Sequence, residues 1–157
     1  MARLRPIQQS LPMQLLRARE ASMAHFRPML RTHNLTEQQW RVIRVLANVE
    51  QMDTGELAEQ TFLLGPSLTR MVQTLERDGL VNRQTDPKDL RRTLLSLSSA
   101  GRTRYEAVSP DSEALYEEIE SAFGHAKLSQ LYKLLSELND ALNLTEQEET
   151  RAYARSK

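Results

Sequence analysis

The chain has 157 residues, the length of one domain or of one domain with an oligomerisation extension. With 39% hydrophobic and 27% charged residues, and 21 basic side chains against 21 acidic, its composition is globular, neither disordered nor membrane-like. It has no cysteine, which excludes disulfides, thiolate metal sites, thiol nucleophiles and thiol redox sensing.

From Ser10 to about Arg31, Leu16, Met23, Phe26 and Leu30 recur at helical spacing. Pro12 falls in the first turn, and Pro28 is expected to kink or end this helix nearby. Arg19 lies on the same stripe, so its guanidinium is expected to point inward. A second helix opens at Thr36, with Gln39 completing a capping box and Leu35 with Trp40 forming a hydrophobic staple. Its expected core face is Trp40, Ile43, Leu46 and Ala47. The device recurs at Asp53, with Glu56 for the box and Met52 with Leu57 for the staple, and predicts a short third helix ending near Gln60.

A fourth helix follows Gly65-Pro66, with Leu64, Leu68, Met71, Val72 and Leu75 as its expected inner stripe and Gly79-Leu80 as a Schellman cap. Its outer face is Ser67, Thr69, Arg70, Gln73, Thr74 and Arg77. Residues 80–97 then lose the helical period. Leu80–Arg83 and Thr93–Leu97 read as two short strands around a polar loop, Asp86–Arg92, giving a hairpin with a charged tip. Ser98 caps a long helix to about Phe123, carrying Tyr105, Val108, Leu115 and Ile119, and Pro110 is expected to bend it. After Gly124, Leu128, Leu131, Leu135, Leu138 and Leu142 repeat at three and four, a heptad-like seam that suits a subunit interface. The charged residues after Leu144 read as a frayed helical tail.

A short helix, a turn, a second helix with a polar outer face and then a basic hairpin is the order of a winged helix-turn-helix. The second helix of such a pair enters the major groove, and the hairpin carries cations to the minor groove or backbone. The expected fold class is mainly α, a winged helix-turn-helix with a small antiparallel β-wing plus helical dimerisation regions. The boundaries are 10–34 for an N-terminal dimerisation helix, 35–98 for the DNA-binding domain, 99–144 for C-terminal dimerisation helices and 145–157 for the tail.

The sequence resembles the MarR family of bacterial transcriptional regulators over residues 10–142. The resemblance is carried by Leu35–Trp40, by Leu75-Glu76-Arg77-Asp78-Gly79-Leu80-Val81, by the wing Asp86-Pro87-Lys88-Asp89-Leu90-Arg91-Arg92, and by Leu97–Gly101, with Ser98 where the family has threonine. Arg17-Ala18-Arg19-Glu20, Phe26-Arg27-Pro28 and Thr36–Arg44 are similar to regulators of homoprotocatechuate (4-hydroxyphenylacetate) catabolism. The resemblance implies a homodimer on near-palindromic operator DNA, repressing until a small aromatic acid binds between the dimerisation helices and the DNA-binding lobe. It makes Arg91 the wing arginine, set by Asp86 or Asp89, and the lack of cysteine excludes the family's thiol-based peroxide sensors.

Ser67, Thr69, Arg70 and Gln73 are the candidate base readers. Thr74, Arg77 and Lys88 are candidate backbone contacts, and Arg92 either adds a phosphate contact or points to solvent. Arg19 is either a carboxylate anchor for the effector or a salt bridge to the partner helices. Met23, Phe26, Trp40 and His25 complete the candidate effector site, although Trp40 and Phe26 also suit the core and Met23 suits core filling.

No nucleophile elbow, phosphate loop, paired-carboxylate motif or metal spacing is present, so neither an enzyme nor a cofactor or metal is expected. The rival is a helical adaptor that never touches DNA. No apolar run reaches the roughly 20 residues of a membrane span, and residues 1–14 lack the apolar core of a signal peptide, so the expectation is a cytoplasmic protein with no membrane partner. Neutrality hides a gradient: residues 1–50 carry eight basic and three acidic side chains, 51–104 carry eight and seven, and 105–157 carry five and eleven. The positive field is thus expected on one part of the molecule.

Overall fold

A computed structural model describes the backbone of residues 6–155 and the side chains of 6–143. A 3-10 turn, Ile7–Gln9, leads into α1, Leu11–Thr32. Then come α2 (Glu37–Ala47), β1 (Met52–Asp53), α3 (Thr54–Thr61) and α4 (Gly65–Arg77). The hairpin is β2 (Val81–Asp86) and β3 (Asp89–Leu97), followed by α5 (Ser99–Phe123) and α6 (His125–Arg155). The molecule is mainly helical with one small antiparallel sheet of order β1-β3-β2, as a winged helix-turn-helix requires. The chain divides into two compact units, one ending at Glu113 and one beginning at Ala114.

Local chemistry sets most of these boundaries. The Thr36 hydroxyl accepts the Gln39 N–H at 3.1 Å, and the Thr36 N–H donates to the Gln39 side chain at 2.8 Å, so the capping box is complete. The Asp53 carboxylate accepts the Glu56 N–H at 2.9 Å and caps α3 in the same way. α4 ends as a Schellman motif. The Leu80 N–H reaches the Leu75 carbonyl at 2.8 Å, the Gly79 N–H reaches Glu76 at 2.9 Å, and Gly79 takes φ 71°, where a Cβ would be strained.

Leu30, Leu35, Trp40, Ile43, Leu46, Leu57, Leu68, Val72, Leu75 and Leu95 form the core of the first unit. α2 also buries Val42 completely, while Ala47 is only half-buried, so the inner face is rotated slightly from the expected one.

Pro28 lies inside α1, which ends four residues later at Thr32, so the helix does stop nearby. Two expectations need correction. Leu64 is no part of the α4 stripe: it is the residue before the helix and stands 80% exposed. The polar loop 86–92 is largely strand, because only Pro87 and Lys88 remain at the turn and Asp89–Arg92 extend β3. α6 has helical backbone to Arg155, and the side chains of the expected helical tail lie outside the described residues. β1 was not foreseen; its two residues pair Met52 with Leu95 and Asp53 with Leu94.

The wing is fastened to α5 at one crowded point. Ser98 donates its hydroxyl to the Gly79 carbonyl at 2.6 Å and accepts the Gly101 N–H at 2.9 Å. A Cβ on Gly101 would lie 2.0 Å from the Leu80 carbonyl oxygen, so only glycine lets α5 start this close to the end of α4. Farther along, Arg102 donates to the Ala47 carbonyl at 2.7 Å and Arg104 to the His33 carbonyl at 2.8 Å. These two arginines meet the exposed carbonyls at the ends of α2 and α1.

Candidate nucleic-acid interface and effector site

α4 presents Ser67, Thr69, Arg70, Gln73 and Arg77 to solvent, with Thr74 half-buried. Ser67, Arg70 and Thr74 share a groove of about 460 Å³ with Thr36, Gln38 and Gln39 at the start of α2. Thr69 lies on the opposite flank, with Thr54, Gly55 and Arg83. Arg83 is an exposed cation on β2 that sequence reasoning left unassigned, because nothing in the local pattern places it beside the recognition helix. The hydroxyls of Thr69 and Thr74 donate to the carbonyls of Gly65 and Arg70 at 2.9 and 3.0 Å. What they offer a base in this arrangement is therefore an acceptor oxygen and a methyl group; to bond a phosphate, itself only an acceptor, either hydroxyl must turn its proton away from that carbonyl.

The wing is organised by two aspartates. Asp86, buried, accepts the Lys88 N–H at 2.8 Å and shapes the turn. Asp89 accepts the backbone N–H of Arg91 at 3.1 Å and grips its guanidinium through both oxygens, at 3.1 and 3.3 Å. Of the two expected partners, Asp89 sets Arg91. Those bonds hold the Asp89 carboxyl below its ordinary range. The Arg91 side chain remains 91% exposed, an aimed cation at the edge of the hairpin. Arg92 is different: it is bonded to Asp53 at the cap of α3 and lies 4.0 Å from Asp86. Its side chain is still 48% exposed, and the bond to Asp53 ties the wing to the helix-turn-helix.

The second cluster joins α1, α2 and α3. Glu37, mostly buried, is met by three guanidiniums: Arg19, Arg27 at 3.4 Å and Arg41 at 2.9 Å. Arg19 and Arg27 also hold Glu20, at 2.7 and 2.8 Å, and these bonds, Arg27's foremost, lower the Glu20 carboxyl. Arg41 donates to the Thr61 carbonyl at the end of α3, at 2.7 Å. Burial, with the like charge of Arg19 nearby, pulls the Arg41 guanidinium below its ordinary value. Arg19 is not inward as expected. Its side chain is 45% exposed, and its carboxylate partners belong to its own chain.

Trp40 is buried, its ring stacked on Tyr105 with centroids 5.8 Å apart. Its indole N–H is the one buried side-chain donor among the described residues that has no acceptor. Phe26 is buried, Met23 half-buried and His25 exposed, so His25 lies apart from the enclosed members of the set. Neither the Glu37 hub nor the unmet indole donor has a signal in the one-dimensional pattern, since each depends on contacts between elements.

An exposed polar recognition helix followed by an aimed cationic wing defines a winged helix-turn-helix DNA-binding protein. The MarR family model matches residues 35–93. The chain is 44% identical over 128 residues to the Escherichia coli homoprotocatechuate degradative operon repressor, covering 82% of this chain and 86% of that protein. It is 43% identical over 137 residues to the regulator FarR of Neisseria gonorrhoeae, covering 85% and 94%. The crystal structure of NadR in complex with 4-hydroxyphenylacetate superposes with a TM-score of 0.75 at 39% identity, covering 87% of this chain and 97% of that one. The chain belongs to the MarR family of transcriptional regulators. It is accordingly a DNA-binding regulator, not an enzyme, and the adaptor reading falls away. Among the described residues no helix is long and apolar enough to cross a membrane.

Proposed function

We propose that this protein is a cytoplasmic homodimeric repressor of an aromatic-acid catabolic operon, released from a near-palindromic operator by a small phenolic acid. In this reading α4 and the wing form the DNA surface. Ser67, Thr69, Arg70 and Gln73 lie at base edges, and Thr74, Arg77, Lys88 and Arg91 at the backbone or minor groove. Arg92 acts from behind, as the strut that sets the wing. The relationship to a named homoprotocatechuate repressor and to a regulator crystallised with 4-hydroxyphenylacetate supports the class of effector. Dimerisation is supported by apolar surface left open in each unit: Ile7, Leu11, Leu15 and Leu16 in the first, Leu131, Leu134 and Leu142 in the second.

The observation that carries the effector site is the Trp40 indole N–H. A buried donor without an acceptor is costly, and native structures rarely keep one without a use. An effector carboxylate or phenol oxygen would meet it, with Met23, which packs against the same core, as an apolar neighbour. Arg19 can serve such a ligand only by leaving Glu37, an exchange that would alter the tie between α1 and α2. Release requires an effector whose affinity differs between two arrangements of the lobes, and that exchange supplies the difference.

The test is titration of the protein–operator complex with 4-hydroxyphenylacetate, followed by fluorescence anisotropy of labelled DNA. Trp40→Phe keeps one aromatic ring in the core and removes the donor. It should raise the effector concentration needed for release about tenfold while operator affinity stays unchanged. Unaltered release would place the effector elsewhere, and normal release by Arg19→Ala would remove Arg19 from the site.

A further inference from the structure

The turn between α3 and α4 departs from local stability rules at two positions. Phe62 closes α3 in the left-handed region, at φ 51° and ψ 37°, a conformation that glycine or asparagine adopts with far less strain than an aromatic residue. Leu64 occupies the N-cap of α4 and makes no side-chain cap bond, where serine, threonine, aspartate or asparagine would satisfy a free N–H. Both are also thrust into water, Phe62 at 90% exposure and Leu64 at 80%. With Leu90 on the wing, at 79%, they are the most exposed large apolar side chains among the described residues. Phe62 and Leu64 stand in the turn that leads into α4 and Leu90 on β3 of the wing, beside the two elements assigned to DNA above. Several local choices against stability at one turn mark a functional position.

We propose that Leu64, supported by Phe62, reads thymine methyl groups in the operator. The inference rests on the DNA-binding reading of α4 given above. A recognition helix presents its N-terminal residues to base edges, and Leu64 immediately precedes Gly65, Pro66 and Ser67 at that end. The thymine C5-methyl is the one apolar group on the major-groove edge, and apolar side chains recognise it by contact. Leu64 therefore adds a preference for T·A pairs beside those read by Ser67 and Arg70. Phe62, two residues earlier in the same turn, adds a second exposed apolar side chain at this end of α4.

The experiment uses the full-length protein and an operator duplex selected with it from random sequence. Each thymine of one half-site is replaced in turn by deoxyuridine, which removes only the methyl. Wild-type protein should lose about fourfold in affinity at one or two positions, the ratio that corresponds to ~0.8 kcal/mol for one methyl-sized group. Leu64→Ser restores a capping side chain and should raise Tm by a few degrees while losing that sensitivity at the same positions. Phe62→Asn, which suits the left-handed conformation, should likewise raise Tm and weaken the discrimination. Specific, salt-dependent binding with no uridine-sensitive position, or an unchanged profile in Leu64→Ser, would overturn the proposal and leave the DNA-binding reading intact. Absence of any sequence-specific binding would overturn both. An unchanged profile with a change in DNA-free oligomeric mass by light scattering would assign the patch to a protein contact instead.

Discussion

Two regions of the first unit are rich in arginine, and they use it in opposite ways. On α4 and the wing, Arg77 and Arg91 have side chains 74% and 91% exposed, each with a single aspartate beside it. Around Glu37, Arg27 and Arg41 are about one-third exposed and share carboxylates of α1 and α2, with Arg41 also bonded to a carbonyl of α3. A guanidinium of the first kind can trade a weak, solvent-screened partner for a DNA phosphate or base edge at little cost. A guanidinium of the second kind cannot leave without uncovering a buried carboxylate. Arg92 sits in the wing and is 48% exposed, but its partners are of the second kind, since it is bonded to Asp53 and lies near Asp86, both mostly buried. Proximity to the DNA surface therefore does not assign an arginine's role; the partners it already has do.

The largest expected effect follows from that division. Arg91→Ala should weaken operator binding about 100-fold and reduce the salt dependence of affinity by roughly one counterion, because it removes a preorganised cation whose partner in the fold is the neighbouring Asp89 on the same strand. Its Tm should be unchanged. Anisotropy titrations at several salt concentrations measure both quantities. If Arg91→Ala bound normally while Arg92→Ala did not, the division drawn here would be reversed.

The reach of the sequence differs between the two regions for a physical reason. The boundaries of α2, α3 and α4 were legible because capping boxes and a Schellman glycine act over three to five residues. The polar face of α4 was legible from its period, but the period also carried Leu64 into the core stripe, where a cap residue outside the helix does not belong. Asp89–Arg92 looked like loop by composition. Their strand character comes from pairing with β2, which supplies the backbone partners whatever the side chains. Arg19 looked inward because the stripe through Phe26 and Leu30 was projected back along α1. The amino-terminal half of that helix is uncovered in a single chain. The Glu37 hub draws on side chains of α1 and α2, and Arg41 links it to a carbonyl of α3, so no window of sequence contains it.

The next effect in size lies in the hub. Glu37→Gln keeps the shape but removes the charge facing Arg19, Arg27 and Arg41, leaving three cations with Glu20 as their remaining carboxylate in the cluster. It should lower stability by about 2 kcal/mol, below the full cost of opening a buried pair because the arginines are partly hydrated. Chemical denaturation should show a lower midpoint with unchanged slope. Arg91→Ala examined in the same way should show no shift, so the pair of variants separates a cation that builds the fold from one that is free to bind.

The smallest effect concerns the strut between the regions. Asp53 caps α3 with its carboxylate and bonds Arg92, and both interactions favour its ionised form. The Glu56 N–H contributes most, then Arg92, and its carboxyl titrates below the ordinary value near 3.9. A carboxylate depressed in the folded state adds stability that is complete above the unfolded value and is lost as pH falls through the folded one. Asp53→Asn retains a good cap but cannot titrate or pair with Arg92 as an ion. At neutral pH it should be less stable than the wild type by under about 1 kcal/mol, and the two should converge as pH drops below about 4. Thermal melts from pH 7 down to about 2.5 measure the difference. A constant offset would mean that Asp53 acts through cap geometry alone, and that Arg92 is as free as Arg91.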